Sequence, residues 1–128
     1  MTGALTALLT CLAGGIGAAL RLILDGLIRA RTKSTYPVGT VVINVTGSFL
    51  LGLITSLAAS HLATHQWQLV TGTGLIGGYT TFSTASYETV RLIEARRYVE
   101  AAFNGLGMLA ICTAAAAFGF AAALLATP

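Results

Sequence analysis

The residues of this chain that are able to do chemistry are uncharged. Asn44, with Thr40, Thr46 and Ser48 close by, stands in the middle of a long apolar stretch, and further along come Thr80, Thr81, Phe82, Ser83, Thr84 and Ser86. An amide carries two donors and an acceptor, and a hydroxyl carries one donor, so a row of them replaces water around an ion without bringing a charge of its own. A buried asparagine also needs partners, because burying an unbonded amide is costly. Ser and Thr in helices often only bond their own backbone or stitch neighbouring helices together. No nucleophile and base pair, metal-ligand cluster or phosphate-binding loop stands out, which argues against an enzyme. No Asp, Glu, Lys or His falls at mid-depth of any apolar stretch, whereas proton-coupled transport usually needs an ionisable group there. A passive route lined by neutral donors fits better. Beside these residues, Gly74, Gly77 and Gly78 place three glycines in five positions ahead of Tyr79-Thr80-Thr81. Such a run is a poor helix, and a break is expected there. Carbonyls freed by a break must be buried, line a wet cavity or coordinate an ion. Coordination of a hard monovalent cation and a simple glycine kink are both open on these grounds.

The elements that must hold these groups follow from the charge distribution. Of 128 residues, 55% are hydrophobic and only 9% charged, with a mean hydropathy of +0.83, against roughly 25% charged in soluble domains. The 7 Lys and Arg and the 4 Asp and Glu all lie within residues 21–33 and 88–100. A spanning helix needs about 20 mostly apolar residues. The first charge-free stretch therefore holds one span, the middle one two, and the last one. His61, His65, Gln66, Trp67 and Gln68 divide the middle stretch at a membrane interface. The expected architecture is one all-α integral membrane domain, residues 1–128, of four transmembrane helices at about 3–24, 37–60, 68–90 and 99–126, the third broken at mid-membrane. No segment reads as a cleaved signal peptide. Cys11 and Cys112 fall inside spans and read as small core residues. Glycines such as Gly17, Gly47, Gly52, Gly72 and Gly119 suit close helix packing in lipid. The net charge of +3 is no nucleic-acid footprint, because Arg29, Arg31, Lys33, Arg91, Arg96 and Arg97 sit in two short loops, as the positive-inside rule predicts.

Three blocks then carry a resemblance. Gly14-Gly15-Ile16-Gly17-Ala18-Ala19-Leu20-Arg21, Pro37 to Phe49 around Asn44, and Gly74 to Thr84 followed by Glu88 resemble, in order and on the first three of four helices, the motifs of the Fluc/CrcB fluoride channels. The resemblance implies an antiparallel dimer of the dual-topology type, with two pores at the subunit interface and a structural sodium ion on the two-fold axis. On it, the backbone carbonyls of Gly77 and Thr80 from both subunits hold the sodium, and Asn44 is the pore asparagine. Phe82 is the first phenylalanine of the aromatic box, Ser83 and Thr84 belong to the hydroxyl track, and Arg21 is the basic residue ending the first helix; Thr40, close to Asn44, is expected to line the same fluoride route. Fluoride is small and strongly hydrated, so its route must exchange water for amide, hydroxyl and phenyl-edge donors. Two departures stand out. Ala85 occupies the place of the family's second box phenylalanine, and Phe103, Gly107 and Ile111, with Asn104 nearby, replace its fourth-helix tyrosine and serines.

A small multidrug exporter is a rival with four short helices, but it needs an acid inside its first helix and residues 1–20 hold none. A non-conducting or partly conducting subunit of a heterodimeric fluoride channel is the other. Six loop cations fall on one side of a four-span topology and none on the other, so one fixed orientation is expected, with both termini outside a prokaryotic plasma membrane, beside an oppositely inserted homologue. The alternative of a homodimer stays open.

Overall fold

The computed structural model describes residues 2–126, and every regular element among them is helical. The Thr2 hydroxyl caps the first helix by accepting from the Leu5 N–H, and α1 (Gly3–Arg31) runs on from there. It passes the end expected near residue 24. The Asp25 carboxylate accepts from Arg29 Nε at 2.8 Å one turn on, and Arg29 and Arg31 face the negative end of the helix dipole. The charged segment read as loop is thus a helical turn, which leaves only residues 32–37 to connect α1 to α2. The second helix, α2 (Val38–Ala59), starts directly after Pro37, whose missing N–H suits a helix start. It ends where His61 takes a positive φ of 56°.

Thr64 caps α3 (His65–Gln68), and the helix widens into a π-helical stretch, Leu69–Ile76, then tightens into α4 (Gly77–Tyr79). The expected break at Gly74 to Gly78 therefore falls later in the chain. The glycines are themselves helical, and the backbone opens at Thr80 (ψ 163°) and Thr81 (φ −147°, ψ 124°). Thr81 then caps α5 (Phe82–Glu94), its hydroxyl accepting from the Thr84 N–H at 3.1 Å. After Arg96, with φ 58°, α6 (Tyr98–Ala102), a π-helical stretch Phe103–Gly107 and α7 (Met108–Ala126) form one long run. Among the described residues three helical runs are long and apolar enough to cross a membrane: Gly3–Arg31, Val38–Ala59 and Tyr98–Ala126. The opening at Thr80 and Thr81 divides the remaining run into two pieces, each shorter than these.

Close packing of small residues sets the helix pairs. A methyl group at Gly17 would run into the Leu75 carbonyl, and one at Gly78 into that of Gly14, so α1 lies against the backbone of the π stretch and α4. Gly52 and Gly119 bring α2 and α7 together in the same way, against Ala116 and Phe49. Ile43, Ile54, Ile76, Leu92 and Met108 fill the interior, whereas Leu8, Leu12, Ile16, Leu20 and Ile23 leave the outer face of α1 apolar and exposed. Contrary to the core reading of the cysteines, Cys11 lies on that exposed face and Cys112 is only half-buried, because α1 and α7 each turn one side away from the bundle.

Candidate functional site

Asn44 defines the site. It is 8% exposed, on α2 opposite the open backbone. Its Nδ2 donates to the Thr81 carbonyl at 2.9 Å, and its Oδ1 accepts from the Thr81 N–H at 2.8 Å. One side-chain amide thereby satisfies both backbone groups of Thr81, which the break would otherwise strand. Nδ2 also lies 3.3 Å from Met108 Sδ, a weak acceptor, so its second hydrogen remains weakly held. Gly47 makes room for this contact: a methyl group there would meet the Thr80 side chain.

The hydroxyls gather on the same turn. Thr81 Oγ1 lies 3.0 Å from Thr84 Oγ1 and 3.4 Å from Ser83 Oγ. Phe82, next to the break, is 88% exposed. No N–H among the described residues donates to the carbonyls of Gly77, Gly78, Tyr79 or Thr80, since Thr80 N–H reaches back to Ile76 and Thr81 N–H goes to Asn44. Gly77 is exposed, and a methyl group added to it would meet only ordinary contact.

A cavity of about 300 Å³ opens beside these groups, lined by Asn44, Ser48, Thr80, Thr81, Phe82, Ala85, Ser86, Thr89, Asn104 and Met108 among others. Asn104, which the sequence reading noted only as the nearest polar group of the last helix, is 1% exposed. Its Nδ2 donates to Thr89 Oγ1 at 2.9 Å and the Ala85 carbonyl at 3.2 Å, while its Oδ1 has no partner among the described residues. The rule that singled out Asn44, an amide inside an apolar helix, applied to Asn104 equally.

Thr40 is not part of this cluster. Its hydroxyl donates to Glu88 Oε1 at 2.9 Å, in a second and charged neighbourhood. Arg29 lies 3.6 Å from the same carboxylate, and a cavity of about 450 Å³ there is lined by Asp25, Arg29, Tyr36, Glu88, Arg91 and Arg97 with their neighbours. In the adjoining loop, burial and then the carboxylates of Glu100 and Glu88 push the Tyr36 phenol above its ordinary value. Arg97 pairs with Glu100 and reaches the Thr35 carbonyl at 3.5 Å, tying the two basic loops to one end of the molecule. Arg21 is half-buried on α1 and has no ion-pair partner among the described residues.

An all-helical fold with three apolar runs of spanning length, and a buried cluster of neutral polar groups beside an opened backbone, defines a membrane protein. The profile of the CrcB family ("CrcB-like protein, Camphor Resistance") matches residues 8–120, and the chain belongs to that family. It is similar to "Fluoride-specific ion channel FluC 1" of Leifsonia xyli subsp. xyli, 52% identical over 90% of this chain and 84% of that one. It is likewise similar to "Fluoride-specific ion channel FluC 2" of Cutibacterium acnes, 47% identical over 91% and 96%, and to "Fluoride-specific ion channel FluC 1" of Streptomyces avermitilis, 43% identical over 87% and 91%. The family is one of ion channels and not of enzymes.

Proposed function

We propose that this chain is a subunit of a fluoride-selective channel that lets cytoplasmic fluoride leave passively across the plasma membrane of a prokaryote. The observation that carries this reading is the cavity beside the Thr80 and Thr81 opening, where Asn44, Ser48, Ser86 and Thr89 present neutral polar groups and no charged side chain takes part. Fluoride exchanges its tight hydration shell for fixed donors, and a carboxylate at that depth would repel it. The weakly held second hydrogen of Asn44 Nδ2 and the edge of the Phe82 ring supply such donors at the cavity, and the Ser83 and Thr84 hydroxyls, on the same turn but outside its lining, extend them. Phe82 and Gly77 are exposed in the single chain, which suits an antiparallel dimer in which a second subunit covers them. Thr40 lies outside the cavity and contributes through Glu88 at the charged end.

The free carbonyls of Gly77 and Thr80 suit a hard monovalent cation, which takes oxygen ligands. In an antiparallel dimer they would hold a structural sodium ion together with the same atoms of the second subunit. Bound there, the ion supplies a fixed positive charge that lowers the electrostatic cost of an anion nearby.

Fluoride efflux from liposomes reconstituted with the protein tests the reading. We expect efflux from the unmodified chain or its natural pair, and near abolition with Asn44→Asp. Equal flux from both would overturn it. Ala85, Gly107 and the one-sided basic loops favour a second reading, a partly conducting subunit beside an oppositely oriented homologue. Cysteine labelling of the termini in cells distinguishes the two, since labelling from both faces means dual topology and a homodimer.

A further inference from the structure

Two sulfur atoms line the site cavity one helical turn apart. Met108 and Cys112 both belong to α7 and both face the space beside Asn44 and Thr81. Residues four apart on a helix lie on one face with Cβ atoms about 5–6 Å apart, and a thioether on three rotatable bonds adapts readily to a shared ligand. Met108 Sδ is already turned toward the polar side of the cavity, 3.3 Å from Asn44 Nδ2. Cys112 is a free thiol, half-buried on the same wall. One polar group lining this cavity has no partner among the described residues: Asn104, 1% exposed, leaves its Oδ1 unbonded. No carboxylate or histidine lines it, so its strongest metal donors are the two sulfurs, and one thiolate with one thioether suits a soft monovalent cation better than calcium or magnesium.

We propose that Met108 and Cys112 form a binding site for a soft monovalent cation, Ag+ or Cu+, in the wall of the cavity, and that occupancy blocks the passage. Binding replaces the Cys112 S–H bond by an S–metal bond and releases the proton to water, while Met108 Sδ donates a lone pair. No electrons are transferred. The block depends on the proposed channel function, whereas the binding does not.

Silver ion added to the purified, reconstituted protein tests both. Native mass spectrometry with Cys11→Ser as background should show one silver per chain, lost in Cys112→Ser and weakened at least tenfold in Met108→Leu. Fluoride efflux from the same vesicles should fall at least tenfold with silver in the Cys11→Ser protein and be unaffected in Cys112→Ser. Silver bound equally by the Cys11→Ser protein and by the Cys11→Ser, Cys112→Ser protein overturns the site. Stoichiometric binding with unchanged efflux overturns the block. Absence of efflux before silver is added, with silver still bound, rejects the channel function and keeps the site. Thermal unfolding of each variant, expected within a few degrees of the parent, separates loss of ligand from loss of fold.

Discussion

The apolar helices depart from regular α geometry at the π stretches Leu69–Ile76 and Phe103–Gly107 and at the opening after Tyr79, and the opening and the second π stretch behave differently. After Tyr79 the backbone opens fully, Thr80 and Thr81 are extended, and Asn44 from α2 bonds the exposed peptide groups. Between Phe103 and Gly107 the helix widens into π geometry without opening, and Asn104 reaches sideways to Ala85 and Thr89 of α5. Each place has one buried asparagine. At the first, the amide replaces lost main-chain hydrogen bonds; at the second, it supplements a Thr89 hydroxyl bond to Ala85 that already exists at 2.8 Å. A π widening keeps its carbonyls within the helix, whereas only an extended backbone releases them, and it needs an amide from elsewhere to survive in a dry interior.

That difference predicts a graded set of effects. Asn44→Leu strands the N–H and the carbonyl of Thr81 together, at about 1–3 kcal/mol each. The purified protein should therefore lose roughly 2–6 kcal/mol of stability in chemical unfolding, and fluoride efflux should disappear; a loss below 1 kcal/mol would show that the break stands without its amide. Gly78→Ala pushes a methyl group into the Gly14 backbone, an overpacking worth about 1–3 kcal/mol, while Gly77→Ala, with only ordinary contact to meet, should leave the same unfolding midpoint nearly unchanged. Asn104→Leu removes two donated bonds but also an unpartnered acceptor, so we expect a shift of no more than about 1 kcal/mol, far smaller than at Asn44. A small effect of either sign belongs to Gly107→Ala. Its methyl group would meet the Phe103 ring at 3.1 Å, but that ring is half exposed and free to swing. The usual gain of about 0.8–1 kcal/mol for alanine over glycine in a helix should cancel the contact or exceed it, and circular dichroism thermal melts would register either sign.

Only the first side of this contrast is legible in the residues themselves. Charge-free stretches mark the apolar runs because a spanning helix tolerates few charges, and an asparagine inside such a run announces that it must find partners. What those partners are depends on tertiary contact: the Thr81 peptide group lies 37 positions away. The glycine run located the break only to within a few residues. Gly74 and Gly78 turned out to serve close approach to Thr10 and Gly14 of α1, and packing held them helical against their propensity. The end of α1 departs from its pattern for a related reason, since its charged residues suggest a loop while the Asp25 and Arg29 pair continues the helix. Thr40 was grouped with Asn44 by their spacing on one helix, yet its hydroxyl goes to Glu88, a direction that spacing does not encode.

The pairing of Asn44 with Thr81 also bears on how the protein is made. A ribosome delivers residue 44 to the membrane well before residue 81 exists, so α2 first enters with a bare amide that favours water or a translocation channel over lipid. Only when the third apolar run follows does a peptide group arrive that is able to accept and donate at the same spot. Each segment is then incomplete without the other, and the second and third runs should leave the insertion machinery together as a hairpin rather than one after the other. A chain truncated before residue 80 should accordingly remain crosslinkable to that machinery through α2, whereas one extended past residue 94 should not.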